Sequence, residues 1–537
     1  MLLLKKGSIR RKGKDALRGN IVASKTIAEI VKSTLGPRGM DKMLLARYDR
    51  LIVTNDGATI LDEMDVKHPA AKMMAELAKT QHQEVGDGTT TAVVTAAELL
   101  KKAEVLLDQN IHPTVIVHGF KMAVEQATKM LDELSVKVNL EDREVLKKIA
   151  ITSMCGKGIE AAKDHFAEIS IRAVKQAAEK RGDGYFVDID DIQLVKRVGK
   201  SLNDTELIQG VIVNDRGVVN PEMPKYVRNA KVALIKFPLE RALARQRPGY
   251  GGEITIRDPY QMKAFVGAES EIIQKIVDKI KKAGANVLMC GSRIDEKAQH
   301  ILENLGIMAV QQVKDSTMEK LSRATRGKIV KDPMDITDKD LGSCGVVEER
   351  KFGNDKMVFV QECEEPKSVS IFIRAGLERL ADEIERVLRD SISVIANVYM
   401  KDKIVAGGGA IEAELAKRVR KYARKVVGRE QLAVEAFADA LEAIPRTLCE
   451  NAGLDPIDIL VDLRASHEDK NGVWQGVDVF NGGIVDMMKK GVIEPLRVKE
   501  LAIKSAVEAA SVILRVDDVI LAPESKPSKG TSHRAPG

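Results

Sequence analysis

Residues 86–91 read Gly-Asp-Gly-Thr-Thr-Thr and lead straight into a stretch of helical periodicity. The types and their order suit an anion. Gly86 and Gly88 let the backbone approach a ligand closely. The helix start behind them offers N–H groups without intrahelical partners and the positive end of a dipole, which together hold phosphate. Thr89, Thr90 and Thr91 add hydroxyl donors. Asp87 stands where a carboxylate could hold Mg²⁺ against those phosphates. The same residues also spell a plain glycine turn with a threonine N-cap, and spacing alone leaves both readings open. The pattern Gly-x₄-Gly-Lys-Ser/Thr is absent, so this is not an ordinary P-loop.

Other residues carry weaker signals. Leu35-Gly36-Pro37-Arg38-Gly39 breaks one helix, and Gly407-Gly408-Gly409-Ala410 precedes another, making a second nest for an anion. Asp56, in Asn55-Asp56-Gly57, reads as a type I′ turn residue. Asp390 falls inside a helical stretch, where a solvated acid is the default. Lys157, between Gly156 and Gly158, is by itself a loop lysine. Cys155, Cys290, Cys344, Cys363 and Cys449 include no Cys-x-x-Cys pair. That argues against a zinc site and a disulfide framework, and it fits buried thiols in a reducing cytoplasm.

The elements that must position these residues fall into three blocks. Residues 20–34 are helical and stop at Gly36-Pro37. A short β run, Ile52-Val53-Thr54, is closed by the turn at Asp56. Residues 69–83 and 90–108 are long helices. In the second, Val93, Ala96, Ala97, Leu100, Ala103 and Leu107 share one face. From about 185 to 375, β-rich runs such as 232–235, 286–289, 308–310, 358–360 and 369–373 alternate with amphipathic helices, an α/β pattern. Residues 377–400 form one amphipathic helix, and Leu432, Ala436, Phe437, Ala440, Leu441 and Ile444 form another apolar face. The simplest architecture folds the two helical ends together with the α/β middle inserted between them. Separate helical domains at each end are the alternative.

Composition narrows the function. The chain has 537 residues, 44% hydrophobic and 31% charged, which is globular and long enough for roughly three domains. No apolar run approaches the ~20 residues of a membrane span, and the opening Met-Leu-Leu-Leu-Lys-Lys is too short for a secretory signal. The net charge is +6, and residues 1–18 alone carry seven Lys or Arg against one Asp. The basic character is therefore an N-terminal arm and not a body-wide stripe. Aromatics are 3%, few for a protein that stacks bases. The tail from Pro523 is expected to be disordered.

The residues then resemble a known family. Ser33-Thr34-Leu35-Gly36-Pro37-Arg38-Gly39-Met40-Asp41-Lys42-Met43, Thr54-Asn55-Asp56-Gly57-Ala58-Thr59-Ile60, His68-Pro69-Ala70-Ala71-Lys72-Met73 and Glu84-Val85-Gly86-Asp87-Gly88-Thr89-Thr90-Thr91 stand in family order. Ala406-Gly407-Gly408-Gly409-Ala410-Ile411-Glu412 and Gly491-Val492-Ile493-Glu494-Pro495-Leu496-Arg497-Val498-Lys499 follow. Together these blocks resemble the group II chaperonins, among them the archaeal thermosome subunits. The resemblance implies a multidomain α and α/β chain. A mainly helical equatorial ATPase domain would take 1–143 and 398–537, a small intermediate domain 144–212 and 362–397, and an α/β apical domain with a lid protrusion 213–361. It favours the inserted middle over separate ends.

The resemblance also implies ATP and Mg²⁺ as cofactors and assigns roles. Asp87 would hold the metal. Leu35, Gly36, Pro37 and Gly57 would line the nucleotide, and Gly88, Thr89, Thr90 and Thr91 would wrap its phosphates. Gly408 and Gly409 would lie near the ribose, with Glu494 and Lys499 near the nucleoside. Asp56 and Asp390 would polarise the attacking water, and Lys157 would reach the γ-phosphate. Partners would be identical or paralogous subunits in two stacked rings and non-native protein clients, in the cytoplasm, with neither membrane nor nucleic acid. Some positions depart from the family: 241–263, in the expected lid, carry Arg241, Arg245, Arg247, Arg257 and Lys263 against Glu253 and Asp258. The rival readings are a small-molecule kinase, which needs a base for a second substrate, and a nucleic-acid-binding scaffold using the basic arm, whose affinity would fall steeply with salt.

Overall fold

Both ends of the chain enter the same unit. Strand Ile9–Lys12 pairs antiparallel with Asp518–Leu521, so that Arg10 stands opposite Ile520 and Lys12 opposite Asp518. The computed structural model describes residues 9–45, 51–182, 184–214, 216–239, 259–353, 355–469 and 471–521. The first residues of the basic arm, positions 241–258 of the basic stretch and the tail from Pro523 lie outside the described residues.

The described residues divide into two units, one holding 9–138, 155–158 and 403–521, the other 139–154 and 159–402. The first unit is a bundle of helices. Gly13–Lys32, Pro69–Val85, Thr89–Asp108 and Pro113–Leu134 come from the N-terminal part, and Ala410–Ala423, Glu430–Leu441 and Leu496–Leu514 from the C-terminal part. They share one core that includes Ile21, Met74, Leu99, Phe120, Phe437 and Ile513. Thr89–Asp108 is its central helix. The face expected from periodicity is buried except Leu107, but Val94, Thr95 and Leu99 are buried too. Small side chains at Ala92, Ala96, Ala97 and Ala103 let neighbouring helices close in on several sides, which a single stripe does not describe. The expected face at 432–444 is likewise divided, into Glu430–Leu441 and Ala443–Ala452.

The second unit contains two principal sheets. The larger has seven strands. Its path runs Met308–Val310, Val287–Cys290, Tyr226–Ile235, Gly342–Phe352, Asp355–Gln361 and Val211–Val213, with Ile329–Val330 also paired to Tyr226–Ile235. The first three pair in parallel and the next three antiparallel. The parallel strands are buried, apolar runs because helices Pro259–Lys282, Glu296–Asn304 and Asp315–Thr325 connect them. The smaller sheet sets Val369–Ala375 between Ile192–Val198, parallel, and Glu206–Ile208, antiparallel. The chain reaches the seven-stranded sheet through 209–210 and leaves it through 362–368. Helices Arg143–Met154, Lys163–Ala177 and Glu378–Met400 complete this unit.

Candidate functional site

In the first unit, two helix starts meet head to head. Helix Thr89–Asp108 begins after Gly88, whose φ of +76° is a left-handed value that a glycine takes without strain. No side chain caps this helix, so the threonine N-cap reading is replaced by an open N-terminus. The first-turn N–H groups of Thr89, Thr90 and Thr91 therefore have no side-chain cap. Opposite them starts helix Gly57–Glu63. A methyl group on Gly57 would come within 2.6 Å of Thr90 Oγ1 and 3.3 Å of Thr89 Oγ1, so only glycine leaves the two starts this close.

Asp56 is not a hairpin turn residue. It is the N-cap of Gly57–Glu63, with φ −71° and ψ 117°. Its Oδ2 accepts from the Thr59 backbone N–H at 2.9 Å and the Thr59 hydroxyl at 2.6 Å, and Oδ1 accepts from the Ala58 N–H at 3.3 Å. The strand before it, Leu51–Thr54, pairs backwards with Lys42–Leu45, so the hairpin lies upstream and Asn55-Asp56-Gly57 opens a helix. Burial works against the Asp56 charge. The Thr59 hydrogen bonds and the nearby His82 and Lys157 outweigh it and hold the carboxyl below the usual range.

Three more segments join this place. The loop 155–158 belongs to the first unit although both its neighbours along the chain belong to the second. It is fastened by Asn55, whose Nδ2 donates to the Gly156 carbonyl at 2.6 Å, and a methyl on Gly156 would meet Pro37 Cα at 3.0 Å. Lys157, Asp56, Gly36 and Pro37 are thereby brought into one neighbourhood. The Leu35 carbonyl and the Lys32 carbonyl both accept from Asn451 Nδ2, at 2.9 and 3.0 Å. On the Asp87 side, buried Gln81 donates from Nε2 to the carbonyls of Asp87 and Val498, at 3.0 and 3.2 Å. The Asp87 carboxylate accepts from the Gly88 N–H at 2.7 Å.

The last group stands next to Val498. Lys499 Nζ lies 2.8 Å from Glu412 Oε1 and 3.0 Å from Glu494 Oε2. Burial disfavours the ammonium, but the two carboxylates outweigh it and keep Lys499 charged far above neutral pH. Burial pushes the Glu494 carboxyl up; Lys499 opposes this, while Glu412 and Asp87 add to it. A methyl on Gly407 would meet Glu494 Oε1 at 2.8 Å. Gly409 then caps helix Ala410–Ala423 in a left-handed conformation, again with no side-chain cap, and the Gly408 carbonyl accepts from the Val477 N–H at 2.9 Å.

A family model described as the TCP-1/cpn60 chaperonin family matches residues 27–524. The chain belongs to that family. It is 53% identical over 524 residues to a thermosome subunit of Methanopyrus kandleri, spanning 98% of this chain and 95% of that protein. It is 52% identical over 530 residues to thermosome subunit beta of Sulfurisphaera tokodaii, at 99% and 95% coverage. With thermosome subunit alpha of Archaeoglobus fulgidus it shares 51% over 537 residues, at 100% and 97% coverage.

For this chaperonin, all but one of the residues expected at a nucleotide site belong to the first unit. Asp390 is the exception: it lies on Glu378–Met400 in the second unit and is 3% exposed. It is thus a buried acid and not the solvated helix acid that its sequence context suggested. Four positioning residues carried no local signal of function: Asn451, Asn55 and Glu412 act on carbonyls or a cation far away along the chain, Gln81 acts on the carbonyls of Asp87 and of distant Val498, and only the apolar neighbours of Glu412 hinted at burial. Among the described residues no helix is long and apolar enough to cross a membrane, and none of the five cysteines is in a disulfide.

The residues fit a magnesium nucleotide. The uncapped start of Thr89–Asp108 offers N–H groups to phosphate, the Gly57 cradle is one a methyl would fill, and Asp87 supplies a hard oxygen ligand beside them.

Proposed function

We propose that this chain is an ATP-hydrolysing subunit of a double-ring chaperonin that encloses non-native protein and drives lid closure with nucleotide. The observation that carries the reading is the meeting of the Thr89 and Gly57 helix starts with Asp56, Asp87 and the Lys157 loop in one unit. The first unit, built from both chain ends, corresponds to the equatorial ATPase domain of the resemblance. The second would comprise the intermediate and apical domains, with the lid at the basic stretch.

In this reading the N–H groups and hydroxyls of Thr89, Thr90 and Thr91, with Gly88, bind phosphate oxygens. Leu35, Gly36, Pro37 and Gly57 line the pocket, and Gly408 and Gly409 form its ribose end. Glu494 faces the nucleoside, and Lys499 holds that carboxylate in place. Asp87 carries Mg²⁺, which when bound offsets phosphate charge. Lys157 adds a positive charge at the γ-phosphate. Asp56, kept ionised by Thr59, orients the attacking water and receives its proton, and Asp390 shares that task by the resemblance. Phosphoryl transfer asks for little beyond this positioning and charge balance.

Partners are other chaperonin subunits, identical or paralogous, and the setting is the cytoplasm. The test is direct. Purified protein should hydrolyse ATP only with Mg²⁺ and run as a particle many times the 58.9 kDa subunit mass. A monomer without Mg²⁺-dependent turnover would refute the proposal.

A further inference from the structure

Cys344 and Cys363 face each other where two strands of the seven-stranded sheet come together. The ladder between Gly342–Phe352 and Asp355–Gln361 pairs Val346 with Gln361. That is the last pair of the ladder; beyond it the Gly345 N–H donates to the Glu362 carbonyl at 3.0 Å, and Cys344 and Cys363 are the next residues on either side. Opposed antiparallel residues have Cα atoms about 4.5–5.5 Å apart, inside the ~4.4–6.8 Å that a disulfide spans. Both side chains are buried in one apolar cluster; the Cys344 thiol donates to the Val346 carbonyl at 3.9 Å, and the Cys363 side chain is near enough to raise the Cys344 pKa. The remaining thiols have other surroundings. Cys290 Sγ lies 3.3 Å from the Phe237 carbonyl, and Cys155 and Cys449 belong to the first unit.

We propose that Cys344 and Cys363 form a reversible disulfide with a small-molecule disulfide as oxidant, fastening the base of the seven-stranded sheet. One thiol loses its proton and attacks the reagent, giving a mixed disulfide and releasing one reagent thiol. The second thiol loses its proton and attacks the protein sulfur of that mixed disulfide, releasing the other reagent thiol. The chain is oxidised by two electrons and the reagent is reduced by two.

The location gives the bond its consequence. The Cys363 N–H donates to the Gln209 carbonyl at 3.0 Å, and a methyl on Gly210 would meet Cys363 Sγ at 3.2 Å. Both chain crossings between the three-stranded and the seven-stranded sheet therefore meet at Cys363. A bond to Cys344 would tie the outgoing and returning segments to the adjacent strand. It would also close a loop around the hairpin, removing entropy from the unfolded chain.

The environment sets the rate. The Cys363 side chain, and then burial, hold Cys344 well above the ordinary thiol range. Thiolate is the attacking species, so the packed pair reacts only when the strand end opens. The bond is a slow structural one that follows the redox state of the surroundings over long times.

The experiment uses the full chain with oxidised glutathione, incubated close to its melting onset. Free thiols are then blocked with N-ethylmaleimide in denaturant, and the unreduced digest is mapped by mass spectrometry. A peptide linking Cys344 to Cys363, two of the five thiols lost, and a melting midpoint raised by roughly 5 °C are expected, all reversed by dithiothreitol. Cys344→Ser and Cys344→Ala should lose the linked peptide and the shift while the other thiols label as before. If neither variant folds, the wild-type peptide map alone decides. Five blocked thiols, glutathione adducts alone, or a link through Cys155, Cys290 or Cys449 would overturn the proposal. None of these outcomes bears on ATP hydrolysis.

Discussion

Lys499 and Glu412 form a buried ion pair, Nζ to Oε1 2.8 Å, with both side chains nearly closed to solvent. Glu494 completes the group at 3.0 Å. Removing the cation leaves two carboxylates facing each other in a site they cannot leave. Breaking such a pair from one side typically costs about 3–5 kcal/mol. Lys499→Ala should therefore lower the unfolding free energy of the first unit by that amount in a denaturant titration. Glu412→Gln should cost less, because Lys499 keeps Glu494. A Lys499→Ala protein as stable as wild type would show that the group is not a closed charge balance.

Gly57→Ala tests the closeness of the two helix starts. Alanine suits a helix better than glycine by about 1 kcal/mol, so the isolated segment gains. The new methyl nevertheless arrives 2.6 Å from Thr90 Oγ1 and must push the Thr89 helix start away. Nucleotide affinity by calorimetry should fall at least tenfold, which is about 1.4 kcal/mol, with little change in melting temperature. Unchanged affinity would mean the cradle does not hold phosphate.

The glycine and threonine loops were legible because their signals are local. A left-handed Gly88 followed by a helix start is written in six consecutive residues, and the apolar runs at 232–235 and 369–373 mark buried strands. Asp56 was misread because Asn-Asp-Gly is a strong hairpin pattern; the competing cue was Thr59, three residues on, which returns the cap hydrogen bonds. Strand Gly342–Phe352 was missed because its second half, Glu348-Glu349-Arg350-Lys351, reads as a charged surface. In the sheet these charges pair locally, Arg350 Nε donating to Glu348 Oε1 at 2.7 Å. Gln81 and Asn451 act on partners more than 400 positions away and Glu412 on one 87 positions away, which no periodicity encodes.

Asp87 is assigned a different task from Asp56 and Asp390, and kinetics can separate them. Asp87→Ala should weaken Mg²⁺-dependent nucleotide binding itself. Asp56→Asn keeps an oxygen for the Ala58 and Thr59 N–H groups but removes the charge that receives a proton. It should leave binding within a few-fold and cut turnover on the order of 100-fold or more. Asp390→Ala should show the same split, with binding kept and most turnover lost. Near-normal ATPase in rings of Asp390→Ala subunits would remove that residue from the reaction.

The two units should respond to acid in opposite directions. In the first, burial opposes the Glu442 charge, but Arg464 and Arg420 outweigh it and pull the carboxyl to about 2. Its contribution is present above the ordinary carboxylate range and is lost as pH falls toward 2. In the second unit, burial pushes Asp191 up to about 6. Arg323, 2.9 Å away, opposes the shift, and Asp188 and Glu179 reinforce it, while Lys320 opposes it weakly. Folding therefore favours the protonated Asp191. Its contribution is complete below the unfolded value near 3.8 and is lost as pH rises through about 6. Asp191→Asn mimics the neutral acid and cannot titrate. Between pH 4 and 7 the wild-type second unit should lose roughly 1–2 kcal/mol relative to this variant. Thermal unfolding of both proteins across that range is the measurement. Parallel stability curves would mean that Arg323 satisfies the Asp191 charge in full, and that burial there costs nothing.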